Sequence, residues 1–170
     1  MDDGKATLSV KIGVDVGTSS IKASAFSSQT GLPIRKNISA AATETLVSSF
    51  AYGVNTSEQG KHVEQDPEEQ WWRGFIHVLT DLLNQLTSSS VSESRELSKI
   101  KVEAICLGGQ MQTVVLTSSS MEKALRPAIL YSDTRANIEA KTIEEAFSGT
   151  SGIKELTGNW KGSASCLPKL

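Results

Sequence analysis

Ile12, Val14 and Val16 alternate with Lys11, Gly13, Asp15 and Gly17, and the alternation resumes over Ile21–Phe26 after Thr18-Ser19-Ser20. A period of two marks a strand with one buried face. The chain therefore opens on two strands joined by a short Gly-Thr-Ser-Ser segment, which reads as a hairpin. After a turn at Gln29–Pro33, Ile34–Ala41 is expected as a third strand, giving an antiparallel three-stranded start. Leu46–Lys61 shows little pattern and much Ser, Gly and Asn, so it reads as a surface loop.

The period then changes. Asp66-Pro67-Glu68-Glu69 has the form of a helix entry: Asp66 as cap, Pro67 at the first helical position, and Glu69 at capping-box spacing. Trp72, Phe75, Leu79, Leu82 and Leu86 follow at steps of three and four, one apolar face for a sheet. Ser88 to Lys99 is a polar linker. Ile100–Leu107 reads as a buried, nearly all-apolar strand closed by Gly108-Gly109, with Cys106 an inert buried thiol inside it. Thr113–Thr117 and Ala128–Tyr131 are two more expected strands, and Ala136–Phe147 a second helix stopped by Gly149. The expected order, β-β-β-α-β-β-β-α, describes a mixed sheet with helices on its faces, an α/β domain.

Composition narrows the class. The 170 residues carry 17 basic and 19 acidic side chains, a net charge of −2, which excludes a strongly cationic nucleic-acid or membrane-surface binder. No window approaches the ~18 continuous apolar residues of a membrane span. Met1–Val10 shows no secretory signal, and a cytoplasmic location is expected. Two cysteines make no disulfide framework, and two histidines leave little for a zinc site.

Three strand ends carry candidate chemistry. At Asp15-Val-Gly-Thr-Ser-Ser20, backbone N–H groups and hydroxyls in a tight turn suit phosphate oxygens. Asp15 beside them suits Mg²⁺, held partly through water. A hairpin whose Asp bonds its own turn explains the spacing equally well. At Gly108–Gln112, the glycines permit close approach and the Gln side chains suit hydroxyl-rich ligands. A bulged connection with polar residues facing water is the plainer account. At Tyr131-Ser-Asp-Thr-Arg135, a pocket wall competes with helix capping; capping is favoured for Thr134 and both readings stay open for Asp133. Trp72 reads as packing rather than a sugar platform, and His77 as structural or surface.

Together these segments resemble one family. Gly13–Ala23 resembles the first phosphate motif of the FGGY carbohydrate kinases, and Glu64–Trp72 that family's acidic-Asp-Pro segment. Gly109-Gln-Met-Gln112 resembles its sugar-contacting stretch, Tyr131–Arg135 its Trp-x-Asp-x-Arg stretch, and Thr157-Gly-Asn159 with Leu167–Leu170 the segment leading onward. The resemblance, closest to xylulokinases and other ketose kinases, runs from Lys11 to Leu170 after a tail over residues 1–10. It implies an actin-like, ribonuclease-H-like fold and ATP-dependent phosphorylation of a sugar hydroxyl. It implies Asp15 at the Mg²⁺ site, Gly17, Thr18, Ser19 and Ser20 on the ATP phosphates, and Gln110, Met111, Gln112 and Asp133 in the sugar pocket. Gln112 stands where xylulokinases carry His, and Tyr131 where Trp is common. The general base and the adenosine-binding half are expected beyond Leu170, so this partial chain is expected to be inactive alone, working with a C-terminal half or a homo-oligomeric partner. The rival classes are a non-catalytic sugar-binding or interaction module of the same fold, and another actin-like ATPase.

Overall fold

A computed structural model describes residues 6–39, 42–57, 59–88 and 97–170. Most of the polar linker expected after Ser88, and the end of the strand expected over Ile34–Ala41, lie outside them. The chain forms two compact units: Met1–Tyr52 with Trp71–Gly109, and Gly53–Gln70 with Gln110–Leu170.

The first unit is a four-stranded mixed sheet. β1 (Ala6–Val16) pairs antiparallel with β2 (Ser20–Ser27), matching Val16 with Ile21 and Val10 with Ser27, so the expected hairpin is present. β3 (Arg35–Ser39) does not continue this sheet. It forms a separate two-stranded ribbon with β4 (Ala42–Thr45). The place beside β2 goes to β5 (Val47–Ala51), from the stretch read as a loop. Its Ser48-Ser49 core hides strand character, yet Ser48 is buried, its hydroxyl donating to Asp81 at 2.6 Å. On the other side of β1, β8 (Leu97–Gly109) runs parallel, giving the order β5-β2-β1-β8.

The crossover to β8 carries α1 (Arg73–Thr87), preceded by a π-helical segment, Pro67–Trp72. Val78, Leu82 and Leu86 of α1 pack on Val10, Ile12, Val14, Ile21, Ala23 and Ala25, one alternating face of β1 and β2. Fully burying each large aliphatic side chain is worth about 1.5–3 kcal/mol. The helix entry departs from expectation in two ways. Asp66 Oδ1 accepts from the N–H groups of Glu68 and Glu69, as a cap should, but the Asp66 N–H itself donates to Gln70 Oε1 at 2.7 Å, one residue past the capping-box position. The wide turn also shifts the apolar phase: Trp71 packs on the core, while Trp72 is exposed and stacks on Phe75. At Gly74 a Cβ would sit 2.8 Å from Phe50 Cδ1, so glycine permits the close approach of helix to sheet.

β8 is not buried as expected. Among the described residues it pairs with β1 alone and forms the sheet edge, leaving Val102, Ile105 and Leu107 exposed. Cys106 is exposed too.

The second unit is less regular. β6 (Asn55–Thr56), β7 (Val63–Gln65) and β9 (Ala128–Ile129) make a small antiparallel sheet. The strand expected over Thr113–Thr117 reduces to single bridges, Val114 to Ile129 and Thr117 to Ala124, and Gln112, at φ 56°, stands just before it. α2 (Asn137–Ala146) and α3 (Gly149–Thr157) meet at Ser148 and Gly149, both at positive φ, so Gly149 opens a helix rather than only ending one. Ala140, Ile153 and Trp160 pack together, with the Trp160 indole N–H on Glu144 at 2.7 Å. Thr134 makes no cap; α2 starts after Ala136 without a side-chain cap. No helix among the described residues is long and apolar enough to cross a membrane.

Candidate functional site

In the first unit, the sheet face away from α1 carries a groove of about 450 Å³. Strand alternation puts Asp15 on this face with Lys22, Ser24 and Phe26, and Gly13 and Gly108 leave the backbone bare between them. Asp15 is exposed at the end of the groove next to the hairpin turn. The turn is tight: the Gly17 N–H donates to the Ser20 carbonyl at 3.0 Å. A Cβ on Gly17 would come within 3.0 Å of that carbonyl and 3.8 Å of Asp15 Oδ2. A carboxylate, a glycine and three hydroxyl residues are thus gathered at one strand junction.

Sequence reasoning missed Tyr52. Pairing of Ser20 with Ala51 carries β5 to the turn, where the Tyr52 N–H donates to the Ser19 carbonyl at 2.9 Å. The Tyr52 hydroxyl donates to the Gly17 carbonyl at 2.5 Å. Burial, with the Asp15 charge second, pushes the phenol up to about 12, so it remains a donor throughout the physiological range. An aromatic at the end of an alternating Val47–Ala51 run was the available signal, hidden by the serines.

In the second unit, β7 organises the other candidate residues. Gln65, fully buried, donates through Nε2 to the Gly53 carbonyl at 2.9 Å and accepts from Gln110 Nε2 at 2.8 Å. Gln70 Nε2 reaches the same carbonyl at 2.8 Å. Gln110 is therefore held by an amide chain, whereas Met111 is exposed. Gln112 sits in the left-handed region, uncommon for a residue with a Cβ. Such outliers concentrate where a side chain is being aimed.

The other end of β7 meets Asp133, which is fully buried. Its Oδ2 accepts from the Val63 N–H at 2.6 Å and Arg135 Nη2 at 2.7 Å, and its Oδ1 from the Arg135 N–H and Nε at 3.0 Å. Burial pushes the carboxyl up, but these bonds and the guanidinium charge outweigh it and hold Asp133 below the usual carboxylate range. Glu64 balances the same way: burial raises it, while Arg135 and Arg126, at 2.6 and 2.5 Å, bring it below its ordinary value. Nearby, Lys169 donates to the Leu130 carbonyl at 2.8 Å and the Ala164 carbonyl at 3.1 Å, and burial lowers its pKa. His77 is exposed, its ring 5.1 Å from that of Phe50, as a surface histidine should be.

Among the described residues, no group of three or more His, Cys, Asp or Glu side chains could hold a metal. The donor set at Asp15 is one carboxylate beside hydroxyls in an open groove. That set fits Mg²⁺ arriving with phosphates and water, the ordinary way Mg²⁺ is bound by kinases, and does not fit a resident structural ion.

The first unit's mixed sheet, with its β1–β2 hairpin and crossover helix, has the α/β architecture of the actin-like fold. The sequence matches the model of the N-terminal domain of the FGGY family of carbohydrate kinases over residues 10–170, and the chain belongs to that family. It is 30% identical over 159 residues to a xylulose kinase of Klebsiella pneumoniae and 26% identical to one of Staphylococcus xylosus. In both cases the match takes in 94% of this chain but 27% of the relative, so the chain spans about a quarter of the curated relatives' length. Among solved structures, a xyloylose kinase from Brucella ovis superposes with a TM-score of 0.67 at 24% identity, covering 94% of this chain and 28% of that one. A Plasmodium falciparum glycerol kinase with ADP gives 0.70 at 16%, covering 96% and 28%. At these identities the structural likeness establishes the fold.

Proposed function

We propose that this chain supplies the phosphate-binding turn and part of the sugar-binding wall of a kinase that moves the γ-phosphoryl group of ATP to a hydroxyl of a ketose, a pentulose being favoured by the xylulose kinase relatives. The observation that carries the reading is Asp15, an exposed carboxylate at the groove end beside Gly17–Ser20. When bound, Mg²⁺ supplies neutralisation of phosphate charge during transfer. Asp15 would present its one anionic ligand. Gly17 lets the phosphates come close to the backbone, and Thr18, Ser19 and Ser20 supply hydroxyls toward them. Gln110, Met111 and Gln112 would line the sugar, with the amides orienting its hydroxyls. Asp133 would act in that wall by fixing Val63 and Arg135, since its oxygens already carry those bonds.

The attacking hydroxyl must give up its proton. Asp133, with its carboxyl held below the usual range and its oxygens occupied, is a poor base. We therefore place the base in a part of the kinase that the relatives possess outside the matched quarter, in a cytoplasmic enzyme. The test combines two readouts on the purified chain. Amide spectra are recorded against D-xylulose, D-ribulose and glycerol, and ADP release is followed with Mg²⁺–ATP. A ketose should shift residues 110–113 with no sugar-dependent ADP release. The absence of any sugar response at 110–113 contradicts the sugar-wall assignment, and sugar-dependent ADP release shows that a base lies within these residues.

A further inference from the structure

Tyr52 takes no part in the contacts proposed for sugar or nucleotide, yet it grips the phosphate-type turn twice. Its N–H holds the Ser19 carbonyl at 2.9 Å and its hydroxyl the Gly17 carbonyl at 2.5 Å. A trans peptide is planar. Fixing the Gly17 carbonyl therefore fixes the plane shared with Thr18, and fixing the Ser19 carbonyl fixes the plane shared with Ser20. Two of the three peptide units between Gly17 and Ser20 are thus oriented by one residue that is distant in sequence.

The turn contains one glycine and three small hydroxyl residues, and its own bond runs from the Gly17 N–H to the Ser20 carbonyl at 3.0 Å. Tyr52 is itself anchored: it packs against the core beneath the sheet, with its ring 6.5 Å from Phe50. The phenol's proton is retained to high pH, so the grip persists wherever a kinase works. We propose that Tyr52 is a positioning residue that holds the Gly17–Ser20 turn in the shape that receives the phosphates of a nucleoside triphosphate. This rests on the function proposed above and adds what keeps that site in order before the ligand arrives.

Tyr52→Phe keeps the ring and removes the hydroxyl. In the full chain, hydrogen exchange at the amides of Thr18, Ser19 and Ser20 should quicken about five-fold or more, the equivalent of one lost hydrogen bond. The Kd for Mg²⁺–ATP, read by calorimetry, should rise by a similar factor, while the amides of Val78–Leu86 in α1 keep their protection. A merely structural role would loosen α1 and leave the turn and the Kd in step with it. Gly17→Ala, whose Cβ meets the Ser20 carbonyl, separates the two ideas. If Gly17→Ala leaves Mg²⁺–ATP binding unchanged, the phosphate-site reading falls, and this proposal with it. If Gly17→Ala weakens binding but Tyr52→Phe changes neither turn exchange nor Kd by two-fold, the phosphate site stands and the role given to Tyr52 is overturned. Should Tyr52→Phe lose α1 protection, Tyr52→Met fills the same space without a donor, and the same criteria apply to it.

Discussion

The two units of this chain are held by different forces. In the first, α1 and two alternating strands enclose an aliphatic core, and the polar residues that matter project from the opposite face of the same strands. In the second, the three residues of β7 are each fixed by a polar side chain far away in sequence: Val63 by Asp133, Glu64 by Arg126 and Arg135, Gln65 by Gln110. One unit places its candidate site by periodicity, the other by specific polar bonds. Hydrophobic packing tolerates substitution by degrees, whereas a buried charge that loses its partner is costly at once.

That contrast can be broken directly. Asp133→Ala strands part of the Arg135 charge and the Val63 N–H, and should cost about 3–5 kcal/mol, the range for breaking a buried pair. Amide protection should vanish in α2 and α3 and persist in α1. Leu82→Ala should do the reverse, removing about 3 kcal/mol from the first unit by opening a cavity. Equal loss of protection in both units from either substitution would show a single cooperative body and dissolve the distinction.

Acid sharpens it. Asp133 and Glu64 are both held below their ordinary values in the folded state. Their stabilisation is complete above the unfolded carboxylate range, about pH 4, and is lost as pH falls through the lower folded values. Among the described residues of the first unit two carboxylates are lowered, Asp81, held by Ser48 and Gln85, and Glu103, which is exposed on β8 away from the packed face of α1. Protection in α2 and α3 should therefore fall below about pH 4 before that of α1. Alkali acts on the first unit instead. The Tyr52 phenol is raised to about 12, so the unfolded chain sheds this proton first. Stability should decline between the ordinary phenol value and pH 12, and Tyr52→Phe should remove that decline.

The smallest effect concerns Gln112. Gln112→Gly relieves the left-handed backbone while losing an amide. Stability should change by less than about 1 kcal/mol, on the stabilising side. Affinity for the responding ketose should fall about five-fold, one hydrogen bond. Unchanged sugar affinity would place Gln112 outside the sugar wall.

The same contrast explains what could be read in advance. Ile12, Val14 and Val16 announce β1, and Ile21 to Phe26 announce β2, because each has one wet face and one dry face. Asp15 and the Gly17–Ser20 turn were legible for that reason. β5 was not, because its inward positions are Ser48 and Phe50, and Ser48 is buried by virtue of Asp81. The apolar phase of α1 departs from the sequence spacing at Trp72 because a π-helical segment widens the turn before the regular helix begins. β8 reads as a core strand from composition, but pairing decides burial, and it lies at the sheet edge. In the second unit nothing local predicts that Gln65 will hold Gln110, or Asp133 hold Val63; those partners are 45 and 70 residues apart. Long-range polar pairing leaves no periodic trace.

The proposed function rests on Asp15 and the adjoining turn as the metal–nucleotide end of a sugar-kinase site. The most direct measurement is paramagnetic broadening of the chain's amide resonances by Mn²⁺–ATP, with Mn²⁺ standing in for Mg²⁺. Broadening centred on residues 13–20 and on Cys106–Gly108 across the groove, and abolished in Asp15→Ala while α1 protection is retained, is the predicted result. Broadening that is absent there, or that persists unchanged in Asp15→Ala, would contradict the account.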